Sequence, residues 1–246
     1  LVGDPSGGSG HGSAYLFERN LGGDDNWGLL SSIQPSDLEG VLRFGAAVAI
    51  SGDTAVIGTP EQYLDGVAYV GAAYVFTKSD GTWSESAKLT ASDGDVADGF
   101  GGAVAISGET ILVGQFFEDR SDSIQGTAYV FQKIGGGWAE VAQLEASDGF
   151  LNDNFGWSVS ISDDVAVVGM HDAAYVFEEV NASWTETAKL TASDADGLFG
   201  GAVSVTDDRV VVGSTKPAVY LFENSNGEWT EVAEMTSSIN GAASDE

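Results

Sequence analysis

The chain has 246 residues, with 43% apolar residues, 34 glycines and no cysteine, so it is long and apolar enough for one large β domain and owes nothing to disulfides or thiolate chemistry. Nine basic residues face 38 acidic ones, a formal net charge of −29 that repels phosphate backbones and anionic lipid and argues against nucleic-acid partners. No run approaches the roughly 18 apolar residues of a membrane helix, so no membrane insertion is expected.

In chain order, the first predicted elements form a partial cassette: Leu1-Val2-Gly3, Ala14-Tyr15-Leu16-Phe17 and a strand after Trp27. Leu1-Val2-Gly3 reads as a strand cut mid-cassette, with an upstream segment expected before it. The first full cassette opens on Phe44-Gly45-Ala46-Ala47-Val48-Ala49-Ile50, a strand with large apolar residues on one face and small ones on the other. Burial on both faces in tight quarters is expected. A turn, Ser51-Gly52-Asp53-Thr54, leads to Ala55-Val56-Ile57-Gly58, and then comes Ala73-Tyr74-Val75-Phe76. The fourth strand runs from Trp83 to Ala91; Leu89 alternates there with Lys88 and Thr90, as on an outer edge guarded by lysine.

The cassette returns at Phe100, Phe155 and Phe199, with third strands at Ala128–Phe131, Ala174–Phe177 and Val219–Phe222. Trp27, Trp83, Trp138, Trp184 and Trp229 mark the beat at intervals of 56, 55, 46 and 45 residues. Units of this length cannot bury their own apolar faces, and four-stranded meanders stacked around an axis solve that problem. The predicted fold is therefore all-β: a β-propeller of four-stranded antiparallel blades, four complete and one partial at the N-terminus. A linear β-solenoid is the runner-up, but it would not need four distinct strand types. One domain spans 1–246, with blades at about 1–43 (partial), 44–99, 100–154, 155–198 and 199–236, and a tail at 237–246.

These motifs, Phe44-Gly45 through Val48-Ala49-Ile50-Ser51-Gly52-Asp53, Val56-Ile57-Gly58, Gly71 to Phe76, Trp83 and Lys88 to Asp93, resemble the FG-GAP repeat. That repeat is the blade unit of the integrin α-subunit head, and the likeness is strongest to the variant of extracellular bacterial, archaeal and protist proteins. It covers residues 1 to 236 and implies an extracellular or cell-surface propeller serving adhesion, carbohydrate or protein binding, or surface assembly. Integrin-type propellers have seven blades, more than this chain provides. They also bind calcium in the first hairpin through an Asp-x-Asp-x-Asp-Gly run. Here that hairpin holds only one or two carboxylates, too few for the six to eight oxygens calcium takes, so those sites do not carry over.

The Asp-rich stretches between blades are the better calcium candidates: Asp93, Asp95 and Asp98; Asp148, Asn152 and Asp153; Asp194 and Asp196. Asp alternating with Gly can wrap a hard cation, and it equally suits a solvated turn. The general acidity has two readings as well, a saline habitat or cation sites, and its scatter favours the first.

Loop lengths point to recognition. From Trp to the next Phe-Gly the spacing is 17, 17, 17 and 15 residues, nearly fixed. From the second-strand glycine to the third strand it is 11, 15, 14, 5 and 6. Both connections emerge on one face, so that face is decorated over the first three blades and clipped over the last two. Variable loops on a rigid scaffold are where partners bind. The long ones carry Tyr63, Tyr69, Phe116, Phe117 and Arg120, anchors suited to a protein or glycan ligand, unless the aromatics pack their own loops.

Catalysis finds little support. His11 and His171 pair with no nucleophile, and G-x-S-x-G, P-loop and H-E-x-x-H are absent. A glycosidase-type Asp pair is conceivable among so many acids, but no spacing singles one out. Tyr15, Tyr74, Tyr129, Tyr175 and Tyr220 recur once per cassette, which marks packing. Asn181-Ala182-Ser183 is a glycosylation sequon. The expected function is an extracellular, non-enzymatic binding or adhesion module. The alternative is a subunit that assembles with copies of itself through unpaired terminal blade edges.

Overall fold

The computed structural model describes residues 1–7, 10–37, 43–62, 70–94, 99–115, 126–149, 153–194, 199–216 and 218–236. Every element among them is a strand. The first blade holds β1 (Val2–Asp4), β2 (Ser13–Arg19) and β3 (Trp27–Ile33); the second holds β4 (Ala47–Ser51), β5 (Thr54–Thr59), β6 (Ala72–Ser79) and β7 (Thr82–Leu89). The third comprises β8 (Phe100–Ser107), β9 (Thr110–Gln115), β10 (Thr127–Ile134) and β11 (Gly137–Leu144). The fourth comprises β12 (Ser158–Ser162), β13 (Val165–Met170), β14 (Ala173–Val180) and β15 (Ser183–Leu190). The fifth comprises β16 (Phe199–Thr206), β17 (Arg209–Ser214), β18 (Ala218–Ser225) and β19 (Glu228–Thr236).

Each blade is an antiparallel meander with strands in sequence order, three-stranded in the first blade and four-stranded in the others. The first strands of neighbouring blades pack together, β4 on β8, β8 on β12 and β12 on β16, while the fourth strands barely meet. Blades that converge at their first strands and splay at their last form a propeller, as the cassette predicts.

The core is cut into four slabs, one between each pair of neighbouring blades. In each, the aromatic side of one blade faces the small side of the blade before it. Phe44, Tyr74 and Phe76 of the second blade lie on Ala14 and Leu16 of the first. The Phe-Gly phenylalanine meets the tyrosine and phenylalanine of its own third strand edge to face, with ring centroids 5.8 and 6.3 Å apart at Phe44 and 5.3 and 6.0 Å at Phe100. Such ring pairs add about 0.5–1.5 kcal/mol each beyond the area they bury. The buried indole N–H groups of Trp83, Trp184 and Trp229 have no acceptor among the described residues, a cost set against the burial of each ring.

Two glycines per junction make this packing possible. The glycine after the phenylalanine has positive φ, 89° at Gly45 and 95° at Gly200, which interrupts the ladder between the phenylalanine and the rest of its strand. For that reason β4 and β12 start after the Phe-Gly pair, and β8 and β16 shift register directly behind it. The second-strand glycine then receives that turn: a Cβ on Gly58, Gly114 or Gly169 would collide with the carbonyl oxygen of Gly101, Gly156 or Gly200 in the next blade.

The innermost strands are less covered than expected. Ala47, Val48 and Ala49 are half-buried and Ile50 is exposed, because this strand borders the central space and has no further strand on that side. A second feature absent from the sequence reading is a bulge in every blade between third and fourth strands, as between Val75 and Phe76. It leaves Ser86 over, whose hydroxyl donates to the Val75 carbonyl at 3.1 Å, and it re-aims Glu85 toward the preceding blade.

Candidate functional site

The links between blades carry a repeated polar clasp. Ser36 stands near the start of one link, just after β3, and donates from its backbone N–H and its hydroxyl to the two oxygens of Glu85, at 2.7 and 2.9 Å. Ser92 does the same to Glu140, Ser147 to Glu186 and Ser193 to Glu231, all between 2.7 and 3.0 Å. The next residue is always aspartate, and it accepts from the tyrosine hydroxyl of the following blade: Tyr74 to Asp37 at 2.6 Å, Tyr129 to Asp93 at 2.9 Å, Tyr175 to Asp148 at 2.5 Å and Tyr220 to Asp194 at 2.7 Å.

Lysine completes three of the four clasps. Lys88 reaches Asp37 at 2.6 Å and Lys189 reaches Asp148 at 2.7 Å, and both also lie over the tyrosine ring, at 5.2 and 5.3 Å. Lys88 is therefore folded onto the junction, where edge protection had been expected of it. The fifth blade has Glu234 at the equivalent position, and Lys216, from the connection after β17, supplies the cation to Asp194 at 3.0 Å. The third blade has Gln143 there, which donates to Ser92 and Glu140.

These contacts shift the titration of the groups involved. Burial pushes Asp37 up, but bonds from Lys88 and Tyr74 outweigh it and hold the carboxyl below its usual range. Asp148 is lowered by Lys189 and then Tyr175, and Asp194 by Tyr220 and then Lys216. The bond to Asp148 raises Lys189. Burial and then Asp37 push Tyr74 well up. Burial and then Asp148 push Tyr175 to about 12, while the bond to Asp194 and then burial push Tyr220 to about 12.

Of the candidate cation ligands, Asp93, Asp148 and Asp194 are thus the aspartates of three clasps, one in each of three different junctions. Asp153 is buried, and its Oδ1 accepts from the Phe155 backbone N–H at 3.3 Å. Asp95, Asp98, Asn152 and Asp196 lie outside the described residues. Among the described residues no group of three or more His, Asp and Glu side chains gathers as a metal site would. The loop candidates Tyr63, Tyr69, Phe116, Phe117 and Arg120 also lie outside the described residues. Their flanks are placed, however. Gln62, where one long connection begins, puts its amide 2.7 Å from the Tyr74 hydroxyl, and so beside the clasp. Links and second-to-third-strand connections therefore do share one face.

Asp37 and the four glutamates were missed by the sequence reading. The signal was present: Ser-Asp recurs 37, 36, 27 and 26 residues before the tyrosine that its aspartate meets.

The repeat unit itself matches a known one. The FG-GAP repeat is found at residues 27–76, 83–131, 138–177 and 184–222, well over half of the chain. The chain belongs to the FG-GAP repeat family. Each matched unit runs from a tryptophan of one blade to the third strand of the next, so each FG-GAP unit contains one aspartate–tyrosine pair, while the glutamate of the same clasp lies beyond the end of that unit. No curated protein sequence is significantly similar to this FG-GAP chain. Among solved structures, a Bacteroides uniformis protein provisionally assigned as a 6-phosphogluconolactonase aligns with a TM-score of 0.65 at 15% identity, over 97% of this chain and 67% of that one. The computationally designed protein Ika4 aligns with a TM-score of 0.49 at 16% identity, over 73% of this chain and 91% of the design.

Proposed function

We propose that this FG-GAP propeller is an extracellular or cell-surface, non-enzymatic binding module that recognises a protein or glycan through the loops of one face. The observation that carries the reading is the contrast in those loops. Thr59 to Ala72 and Gln115 to Thr127 are long connections over the second and third blades, whereas Met170 to Ala173 and Ser214 to Ala218 are short ones. The blades beneath are held alike by the clasps, so the variation lies in loops and not in scaffold. The likeness to the lactonase-assigned protein is at 15% identity and speaks for the fold alone. The test is a glycan array with the wild type and a Phe116→Ala/Phe117→Ala variant. Loss of a bound glycan in the variant supports recognition through these loops, and unchanged binding refutes that site.

A specific observation also favours the second reading, assembly with copies of itself. On the first blade Val2, Phe17, Trp27 and Leu29 are 52%, 41%, 64% and 53% exposed, although Phe17 and Trp27 have buried or half-buried equivalents in the other blades. On the fifth, Val211 and Leu221 are half-buried where Leu112 and Val130 of the third blade are fully buried. A large-residue face and a small-residue face are thus both open, as a head-to-tail contact between copies would use them. Sedimentation across a concentration series tests this: growth of the particle supports assembly, and a constant monomer sinks it.

A further inference from the structure

In a repeat protein, a residue that departs from its equivalents on an unchanged backbone is the informative one. The position after Phe-Gly is Ala46, Gly102 and Gly201 in three blades and Trp157 in the fourth. The backbone there is the same, since Gly45, Gly101, Gly156 and Gly200 all have φ between 89° and 95°. Nothing in the cassette calls for an indole at this place, and Trp157 remains 38% exposed.

Two further departures meet it. The connection after β13 is clipped to a turn, Met170-His171-Asp172-Ala173, where the second and third blades have longer connections in sequence. His171 occupies that turn, its ring 6.3 Å from the Trp157 ring at 50°. The imidazole is held in place: Nε2 lies 3.2 Å from the Asn154 side-chain amide, and the backbone N–H donates to the Asp153 carbonyl at 2.8 Å. Trp157, Met170 and His171 form one wall of a cleft of about 410 Å³, and Ala202, Ser214 and Thr215 of the fifth blade stand opposite.

We propose that this cleft is a binding subsite for a neutral pyranose unit of a glycan, with Trp157 as the stacking platform. A sugar ring has an apolar C–H face and a rim of hydroxyls. The cleft is lined by an indole, by the apolar Met170 and Ala202, and by imidazole and hydroxyl groups, in a volume ordinary for small ligands. The net charge of −29 disfavours uronic or sialic acids and leaves neutral sugars as the matching class. This assignment rests on the recognition reading and narrows it to glycans, on the clipped half of the loop face and away from Phe116 and Phe117.

The test is calorimetric titration of four neutral oligosaccharides, cellohexaose, laminarihexaose, mannohexaose and chitohexaose. They are titrated into wild type, Trp157→Ala, His171→Ala and Phe116→Ala/Phe117→Ala proteins. Trp157→Ala installs the residue that the second blade carries at Ala46, so its melting temperature is expected to match wild type. At least one oligosaccharide is expected to bind wild type with Kd of about 1 mM or tighter, and Trp157→Ala to weaken it about tenfold or more. His171→Ala is expected to weaken it less. Loss in Trp157→Ala upholds the cleft, whatever the phenylalanine variant does. Wild-type affinity in Trp157→Ala overturns it; if binding is then lost in the phenylalanine variant, recognition through the long loops stands without the cleft. Failure of all four sugars to bind wild type overturns the cleft and leaves a protein partner for the loops.

Discussion

The third and fifth blades spell their second strands almost alike, Ile111-Leu112-Val113-Gly114 and Val210-Val211-Val212-Gly213, yet the two strands live differently. In the third blade all four residues are buried. In the fifth, Val210 and Val212 are buried against the fourth blade, while Val211 and Gly213, on the opposite face, are half-buried. Gly114 receives the Phe-Gly turn of the next blade, whereas the atoms nearest to a Cβ on Gly213 belong to Ala202 of its own blade, the first at 3.4 Å. The cassette thus encodes a demand for a neighbour, and what a residue contributes depends on whether that neighbour is there.

The sharpest way to break this comparison is one substitution made twice. A Cβ on Gly114 meets backbone of the fourth blade, which cannot swing aside, so Gly114→Ala is expected to destabilise by about 3 kcal/mol. Gly213→Ala meets ordinary van der Waals neighbours at unstrained φ and is expected to stay within about 1 kcal/mol of wild type. Thermal melting of the two variants checks this. Equal losses would mean that the glycine serves its own strand and not the junction.

The clasp offers a second, smaller contrast. Tyr74 donates to Asp37 across a junction, whereas Tyr15 of the first blade makes no such bond to an aspartate among the described residues. Tyr74→Phe is expected to cost about 1–3 kcal/mol, because a hydrogen bond to a charged group is lost in a buried setting. Tyr15→Phe is expected to change stability by about 0.5 kcal/mol or less. The clasps also predict the response to pH. Tyr175 and Tyr220 are raised from 10.0 to about 12, so the folded protein keeps protons that the unfolded chain releases. Their stabilisation is whole below pH 10 and lost as pH rises toward 12. Asp37, Asp148 and Asp194 are lowered from 3.8, so theirs is present above that value and lost as pH falls below it. The melting temperature against pH should fall at both ends, and the alkaline fall should shrink in Tyr175→Phe/Tyr220→Phe.

What was legible in the sequence follows from what repeats. Strand order, the blade unit and the aromatic faces recur at every period, and side-chain alternation fixes which face each residue takes. The bulge was hidden, because an extra residue such as Ser86 leaves the sequence period untouched and changes only the pairing. The clasp was half visible: Asp93, Asp148 and Asp194 stood out as acids, but acids near glycines read as turns or cation ligands until the tyrosines across the junction are placed. Trp157 went unnoticed for the opposite reason. It breaks the repeat at a single position, and a reading tuned to the beat of five tryptophans passes over the sixth.

The smallest effect concerns the lysines, and nature has supplied the control. The second clasp lacks a lysine and uses Gln143, while the first has Lys88 at the same place. Lys88→Gln therefore transplants one junction's chemistry into another on an identical backbone. The ion pair is partly exposed, with side chains 24% and 46% accessible, so water and salt screen much of its attraction. The expected loss is below about 1 kcal/mol, smaller still at high salt, where wild type and variant should converge. A loss that persisted in salt would point to the Lys88 ammonium over the Tyr74 ring, at 5.2 Å, as the working contact. The junction would then depend on the packing of the lysine's stem and head against the aromatic face, and the glutamine of the third blade would mark a weaker seam in the propeller.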